Sequence, residues 1–258
     1  MNKKAQSNGI YARYYPINRL SVHDIRQMYQ VFQKYYSYTD IDTFLKDLSQ
    51  KDGLILVRNR AEHRVVGFST VRSMQMKAGA LKGRGIFSGD TILEKAYWGG
   101  SAMHLAFYRY LVWQKLRHPF QPVFWMLISK GYKTYLLLAN NLQRYYPHPE
   151  NQDADLGRMV EDYCAELFPG YYDADRKLLD FGEQSQCLKE DVAGVSDELR
   201  RKQPKIRFFE QCNPTWQRGT ELPCLGMVTT GAIFHFAFKA IRSTFKRSSR
   251  PSGVRSTQ

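Results

Sequence analysis

The feature that most constrains this chain is a strand that ends in a Gly-Gly turn and runs straight into a long apolar helix. It spans Lys82 to Pro119, KGRGIFSGDTILEKAYWGGSAMHLAFYRYLVWQKLRHP. A strand closing on Gly99-Gly100-Ser101, with Ser101 as helix cap, gathers backbone N–H groups at the positive end of a helix dipole. Such a site suits a phosphate or pyrophosphate, and glycine lets the backbone come close to it. Plain turn chemistry accounts for the same three residues without any ligand.

With 258 residues the chain has room for a substantial core in one or two domains. Its 17 Tyr and 15 Phe, several in adjacent pairs such as Tyr35-Tyr36 and Phe208-Phe209, suit a core with large apolar cavities or simply dense packing. The formal charge of +14 points to phosphates, acidic proteins or anionic membranes as partners. No nucleic-acid signature accompanies it, so nucleic acid is not expected, whereas an acidic carrier protein fits the charge. Cys164, Cys187, Cys212 and Cys224 show neither metal-ligand spacing nor a disulfide pattern and read as free thiols, with no metal expected. The opening MNKKAQSNG lacks the apolar run of a secretory signal, and no stretch has the length of a membrane span. A cytoplasmic protein is expected, with peripheral contact at the inner membrane as an option.

The pattern predicts a first strand over 10–17, a Ser21-capped helix, and a second helix over Asp40 to Leu48. Two strands, 53–58 and 64–72, follow as a hairpin around Asn59 to His63. Arg84 to Leu93 is the next strand, then comes the Ser101 helix, apolar on nearly all sides and expected to be central and buried. Pro122 to Ile128 is a short strand and Tyr135 to Leu142 a helix. Leu156 to Phe168 has helical spacing, while Asp173 to Lys202 is polar. Phe208-Phe209 and Leu222 to Thr230 are expected to return as final strands. The division is a core over 1–149, a helical insertion over 150–203, final strands within 204–230, and a basic amphipathic segment with a disordered tail over 231–258. In that last segment Phe234, Phe238, Ile241 and Phe245 share one helical face and Lys239, Arg242 and Lys246 another. It would rest on an anionic membrane, cover an acyl tunnel, or dock on the core.

This element order, with the turn between the fourth strand and the third helix, resembles the GNAT acyltransferase superfamily. The resemblance covers about residues 10–147 and the strands near 206–230. It implies a mixed α/β fold: a mostly antiparallel central sheet, splayed near its fourth and fifth strands and flanked by helices. It also implies that the fourth-strand backbone at Thr91, Ile92 and Leu93, with the Gly99-Gly100-Ser101 turn, holds the pantetheine arm and phosphate of an acyl thioester. The family's usual turn is Arg/Gln-x-x-Gly-x-Gly/Ala; here it is Ala96-Tyr97-Trp98-Gly99-Gly100-Ser101. That departure suits a donor carried as phosphopantetheine on an acyl carrier protein more than acyl-CoA. Lys130 to Pro147 and Asn213 to Leu225 look like segments of the fatty-acyl GNAT-like maturases that lipidate ribosomally made peptides. Acyl-homoserine-lactone synthases share the fold.

Aminolysis of a thioester needs a neutral amine, a polarised carbonyl and a proton for the leaving thiol. Asp90, inside the fourth strand where the family often carries a base, is the candidate for binding or deprotonating the amine. Its bland alternative is to pin a bulge beside Gly89. Tyr135 is the candidate acid, with core packing as its alternative. Asn140, or Asn141, either ends a helix or bonds the pantetheine amides. Asn213 and Glu221 either border an acceptor pocket or merely shape a Pro/Gly loop. A rival mechanism would pair His104 with Cys164 or Cys224 as nucleophile. The expected reaction is direct transfer of a fatty acyl group to an amine, such as a Lys or ornithine side chain of a peptide. A free amino acid or small amine is the second choice, and a non-catalytic carrier- or membrane-binding module the third.

Overall fold

The computed structural model describes residues 9–36, 39–182 and 197–234, together with 236 and 238. Its strands are β1 (Ile10–Pro16), β2 (Gly53–Asn59), β3 (Val65–Ala78), β4 (Leu81–Leu93), β5 (Val123–Ser129), β6 (Tyr145–Tyr146), β7 (Tyr172–Asp173), β8 (Leu178–Leu179) and β9 (Leu222–Val228). Its helices are α1 (Val22–Tyr35), α2 (Ile41–Ser49), α3 (Ala102–Arg117), α4 (Tyr132–Ala139), α5 (Ala154–Leu167), α6 (Asp197–Lys202) and α7 (Pro204–Cys212). Seven strands form one sheet in the order β1-β2-β3-β4-β5-β9-β6, and β7 and β8 form a separate hairpin. Every neighbouring pair in the large sheet is antiparallel except β4 and β5. The fold is thus mixed α/β, with a mostly antiparallel sheet flanked by helices.

Strand alternation sorts the apolar residues onto the two faces. Ile55 and Val57 of β2 join Val123, Trp125 and Leu127 of β5 in the core under α3 and α4. Leu54 and Leu56 point to the opposite face and pack with Met28 and Phe32 of α1 and Phe44 of α2. Phe124 and Met126 of β5 join Met159 and Tyr163 of α5 on that same side. Covered on both faces, β5 reads as an unbroken apolar run, VFWMLI. The helix starts are locally specified. Ser21 and Asp24 form a reciprocal capping box on α1, and Asp40 accepts the Thr43 amide at 2.7 Å on α2.

Four expectations change. Phe208 and Phe209 lie on α7, not on a strand: Pro204 opens that helix, and Ile206 and Phe209 bury one face of it. β3 and β4 run on as a long hairpin that turns at Gly79, where φ is +57°. Ser101 makes no side-chain capping bond, because its backbone is already helical. α3 is not buried all round, since Trp113 and Leu116 are exposed. The expectations for 1–8, Cys187, the polar stretch over 183–196 and nearly all of the segment after 234 lie outside the described residues. Among the described residues no helix is long and apolar enough to cross a membrane.

The parallel β4–β5 pairing runs from Arg84↔Val123 to Ser88↔Leu127 and stops there. β4 continues to Leu93 alongside β3, while β5 continues to Ser129 alongside β9. The two strands therefore part after Ser88, and the seam between them opens into a cleft.

Candidate active site

The opening has a local cause in β4. Ser69 opposes Thr91 and Val71 opposes Ser88, so Gly89 and Asp90 together face Thr70 alone. This is a bulge, with two residues against one. A Cβ at Gly89 would collide with Thr70 Oγ1, which is buried and has no hydrogen-bond partner. Gly89→Ala is expected to cost about 1–3 kcal/mol of stability by overpacking. Adding Thr70→Ala should recover most of it, as read from denaturant midpoints. Equal loss in the single and double variants would mean that this contact does not set the bulge.

The cleft has a volume of about 1170 Å³ and reaches both faces of the sheet through the seam. On the α3–α4 side its wall includes Met103, Phe107, Trp125, Leu136 and Leu137. On the opposite side Phe44, Phe87, Phe168, Tyr171 and Phe181 line it. Phe168 meets Phe87 and Phe181 edge-on, each at 5.7 Å between ring centroids. At the α3–α4 mouth the Trp98 indole N–H donates to the Leu93 carbonyl at 2.6 Å. The ammonium groups of Lys133 and Lys95 sit 5.3 and 6.0 Å from the Trp98 ring.

At the seam itself charged groups from four separate elements meet. Asp90 is half-buried and lines the cleft. Desolvation, reinforced by the Asp47 carboxylate and opposed by Lys51 and Lys130, pushes its carboxyl up to about 6. Lys51 holds Asp47 at 2.7 Å. Tyr36, at the end of α1, carries the Lys130 ammonium 5.2 Å from its ring. Burial first, then the Asp90 and Glu221 carboxylates, push its phenol above the ordinary range. Glu221 is buried, with Lys130 Nζ 3.3 Å away, and burial raises its carboxyl despite that ammonium. A carboxylate that binds protons near neutrality, set in a gap between strands, can accept a proton from an ammonium group.

The expected site residues divide. Asp90, Thr91, Ile92, Leu93, Gly99, Gly100, Asn140 and Glu221 line the cleft. The Leu93 carbonyl is already taken by Trp98, and the Gly100 amide by the Tyr97 carbonyl at 3.3 Å. Ser101 is exposed and does not line the cleft. Asn140 Oδ1 accepts from Lys205 Nζ at 3.1 Å, and Asn141 donates to the Leu137 carbonyl at 2.6 Å. Tyr135 lies away from the cleft, fully buried against Phe208 and Phe209, with its hydroxyl donating to the Pro147 carbonyl at 3.2 Å. α4 begins at Tyr132, and that tyrosine lines the cleft instead. Asn213 is also elsewhere: it exchanges hydrogen bonds with Thr220 and closes its own loop. Cys164 and Cys224 are buried away from the cleft, and burial holds both thiols well above the ordinary range. His104 lines the cleft, whereas Cys164 and Cys224 do not. No group of His, Cys, Asp and Glu among the described residues could hold a metal ion.

Sequence reasoning missed Tyr36, Asp47, Lys51, Trp98, Lys130 and Tyr132. Tyr36 carried a signal as half of an aromatic doublet, Trp98 as part of the Gly-Gly turn, and Lys130 and Tyr132 as part of the Lys130 to Pro147 segment; Asp47 and Lys51 carried none.

No protein-family model matches the chain, and no curated protein matches its sequence. Part of its backbone is similar to solved structures. A conserved protein of unknown function from Enterococcus faecalis V583 aligns with 50% of this chain at 11% identity and a TM-score of 0.39. The alignment covers only 31% of that protein. NAA60 of Arabidopsis thaliana, bound to a bisubstrate analogue, aligns with 52% of this chain and 86% of its own at 10% identity and a TM-score of 0.39. An aminoglycoside acetyltransferase from an uncultured soil metagenomic sample aligns with 46% of this chain and 77% of its own at 15% identity and a TM-score of 0.33. The likeness is one of backbone course over about half of the chain.

Proposed function

We propose that this chain is a GNAT-type N-acyltransferase that moves a fatty acyl group from a thioester to an amine by direct transfer in the β4–β5 seam. The observation that carries this reading is Asp90, bulged into the gap between two parting parallel strands with its carboxyl near 6. The amine nitrogen attacks the thioester carbonyl carbon, and the carbonyl π pair moves to oxygen. Collapse of that adduct re-forms the carbonyl, breaks the C–S bond and expels thiolate. Asp90 takes the proton lost by nitrogen, and Tyr132, in the position first expected of Tyr135, gives one to sulfur. The products are an amide and a free thiol.

The aromatic wall of Phe87, Phe168, Tyr171 and Phe181 supports a long acyl chain, because it offers a large apolar surface next to the seam. Lys95 and Lys133 at the opposite mouth support a phosphate-bearing donor arm. With the Gly100 amide already engaged, the turn offers fewer donors than a pyrophosphate would use, which favours a single phosphopantetheine phosphate on an acyl carrier protein. The acceptor is read as a Lys- or ornithine-type side chain of a ribosomally made peptide, with a free amino acid as the alternative.

Thiol release with matched acyl-carrier-protein and acyl-CoA donors tests this. The carrier-borne donor should be used faster, and its advantage should shrink as salt shortens the Debye length from about 10 Å at 0.1 M to about 3 Å at 1 M. Equal use of both donors at every salt concentration would remove the carrier. A donor retained but never consumed, with every amine tried, would make the chain a binding module.

A further inference from the structure

We propose that the C-terminal end of α3 and the turn after it form a wedge that docks on an anionic lipid bilayer. Phe120 is 97% exposed, Leu116 70% and Trp113 43%, although each is a large apolar side chain. Trp113 and Leu116 lie three residues apart on one helical face, and Phe120 follows at the tip of the turn.

The tip is built to hold Phe120 outward. Lys115 Nζ donates to the Pro119 carbonyl at 2.9 Å and to the Gln121 carbonyl at 2.7 Å, the two carbonyls on either side of it. The Gln121 amide donates to the His118 carbonyl at 3.1 Å. An apolar side chain held this way inserts into a headgroup layer without first losing loop freedom. Trp113 sits under the Arg117 guanidinium at 4.7 Å, pairing an interfacial aromatic with a cation.

Charge selects the partner. Between Glu94 and Glu150 the chain has no acidic residue and seven Lys or Arg, of which Arg109, Lys115 and Arg117 lie on α3. α3 and the turn after it bring cations and no carboxylate of their own to acidic headgroups, and the apolar tip then gains the acyl boundary. A helical segment beginning at residue 230 carries exposed Phe234 and Phe238, and its Phe236 stacks on Tyr108 of α3 at 4.3 Å. This surface is separate from the cleft lining and does not depend on the proposed chemistry.

Co-sedimentation of the full chain with phosphatidylcholine vesicles, with and without phosphatidylserine, is the test. Binding is expected only with phosphatidylserine, and Phe120→Ser with Leu116→Gln should weaken it at least about tenfold. The thermal midpoint of that double variant should be unchanged. Absence of binding to the anionic vesicles would overturn the proposal. Unchanged binding by the double variant would also overturn it and move the contact to another surface. Capture of an acidic carrier protein that the double variant abolishes, without vesicle binding, would assign the wedge to a protein partner instead.

Discussion

Asp90→Asn is expected to lower turnover at least about a hundredfold, the low end of acid–base contributions, and at the same time to make the fold more stable at pH 8. The two effects share one cause. Burial and the Asp47 carboxylate raise the Asp90 carboxyl from the ordinary 3.8 to about 6. On raising pH the unfolded chain releases this proton first, so the folded state loses stability between those two values and does not regain it above. Asn carries no charge to desolvate, and its amide can still donate to Asp47. The gain at pH 8 is on the order of 1–3 kcal/mol, and below pH 3.8 it vanishes. Wild-type turnover should rise about tenfold per pH unit below 6 and level off above, the form expected of a single ionising base. Thermal melts and initial rates across pH check both halves. A folded Asn variant with wild-type rate would reduce Asp90 to a pin for the bulge.

Removing the ammonium beside Glu221 should have the largest effect on stability. Glu221 is 3% exposed, and Lys130 stands 3.3 Å from it. Lys130→Met leaves a buried carboxylate without its counter-charge, a change that costs about 3–5 kcal/mol. The cost should be greatest at pH 8 and smaller at pH 5, because Glu221, already raised by burial, then takes up a proton. Glu221→Gln added to Lys130→Met should recover most of the loss. Glu221→Gln alone should cost little, since the Lys130 ammonium can turn into the cleft that it lines. Denaturant titrations of the three variants at both pH values read this out. A Lys130→Met loss independent of pH would mean that packing on Tyr36, not charge, is what Lys130 supplies.

How far the sequence carried the fold is visible in particular elements. The alternating strands around the hairpin and the capped helices near Ser21 and Asp40 follow from local pattern and appear where expected, whereas the strand does not close on the Gly-Gly turn: β4 ends at Leu93, and a 3-10 turn over Lys95–Tyr97 separates it from Gly99. Phe208-Phe209 misled because an aromatic doublet suits either element; Pro204 at the helix start and the Ile206–Phe209 spacing were the better guides. The outer half of β3, Ser73 to Ala78, alternates polar and apolar residues as a half-buried strand does, so it was legible and the expected strand stopped short of it. Tyr135 proved to be a core residue; YLLLA is apolar all round and hides which side meets the core.

The site was half legible for a similar reason. A carboxylate within an apolar strand stands out on its own, so Asp90 could be singled out. Its partners could not, because Tyr36 ends α1, Asp47 and Lys51 belong to α2 and its exit, and Lys130 follows β5. Only the folded sheet brings them to one seam.

Direct transfer through that seam is tested most directly by mixing the protein with an acyl thioester and an amine, quenching over time, and weighing every species intact. The account predicts that thiol release and acylated amine appear together, one for one, with no acyl mass on the protein at any time. An acylated protein that forms before the product and then decays into it would contradict the account and place the chemistry on a nucleophilic side chain of the protein.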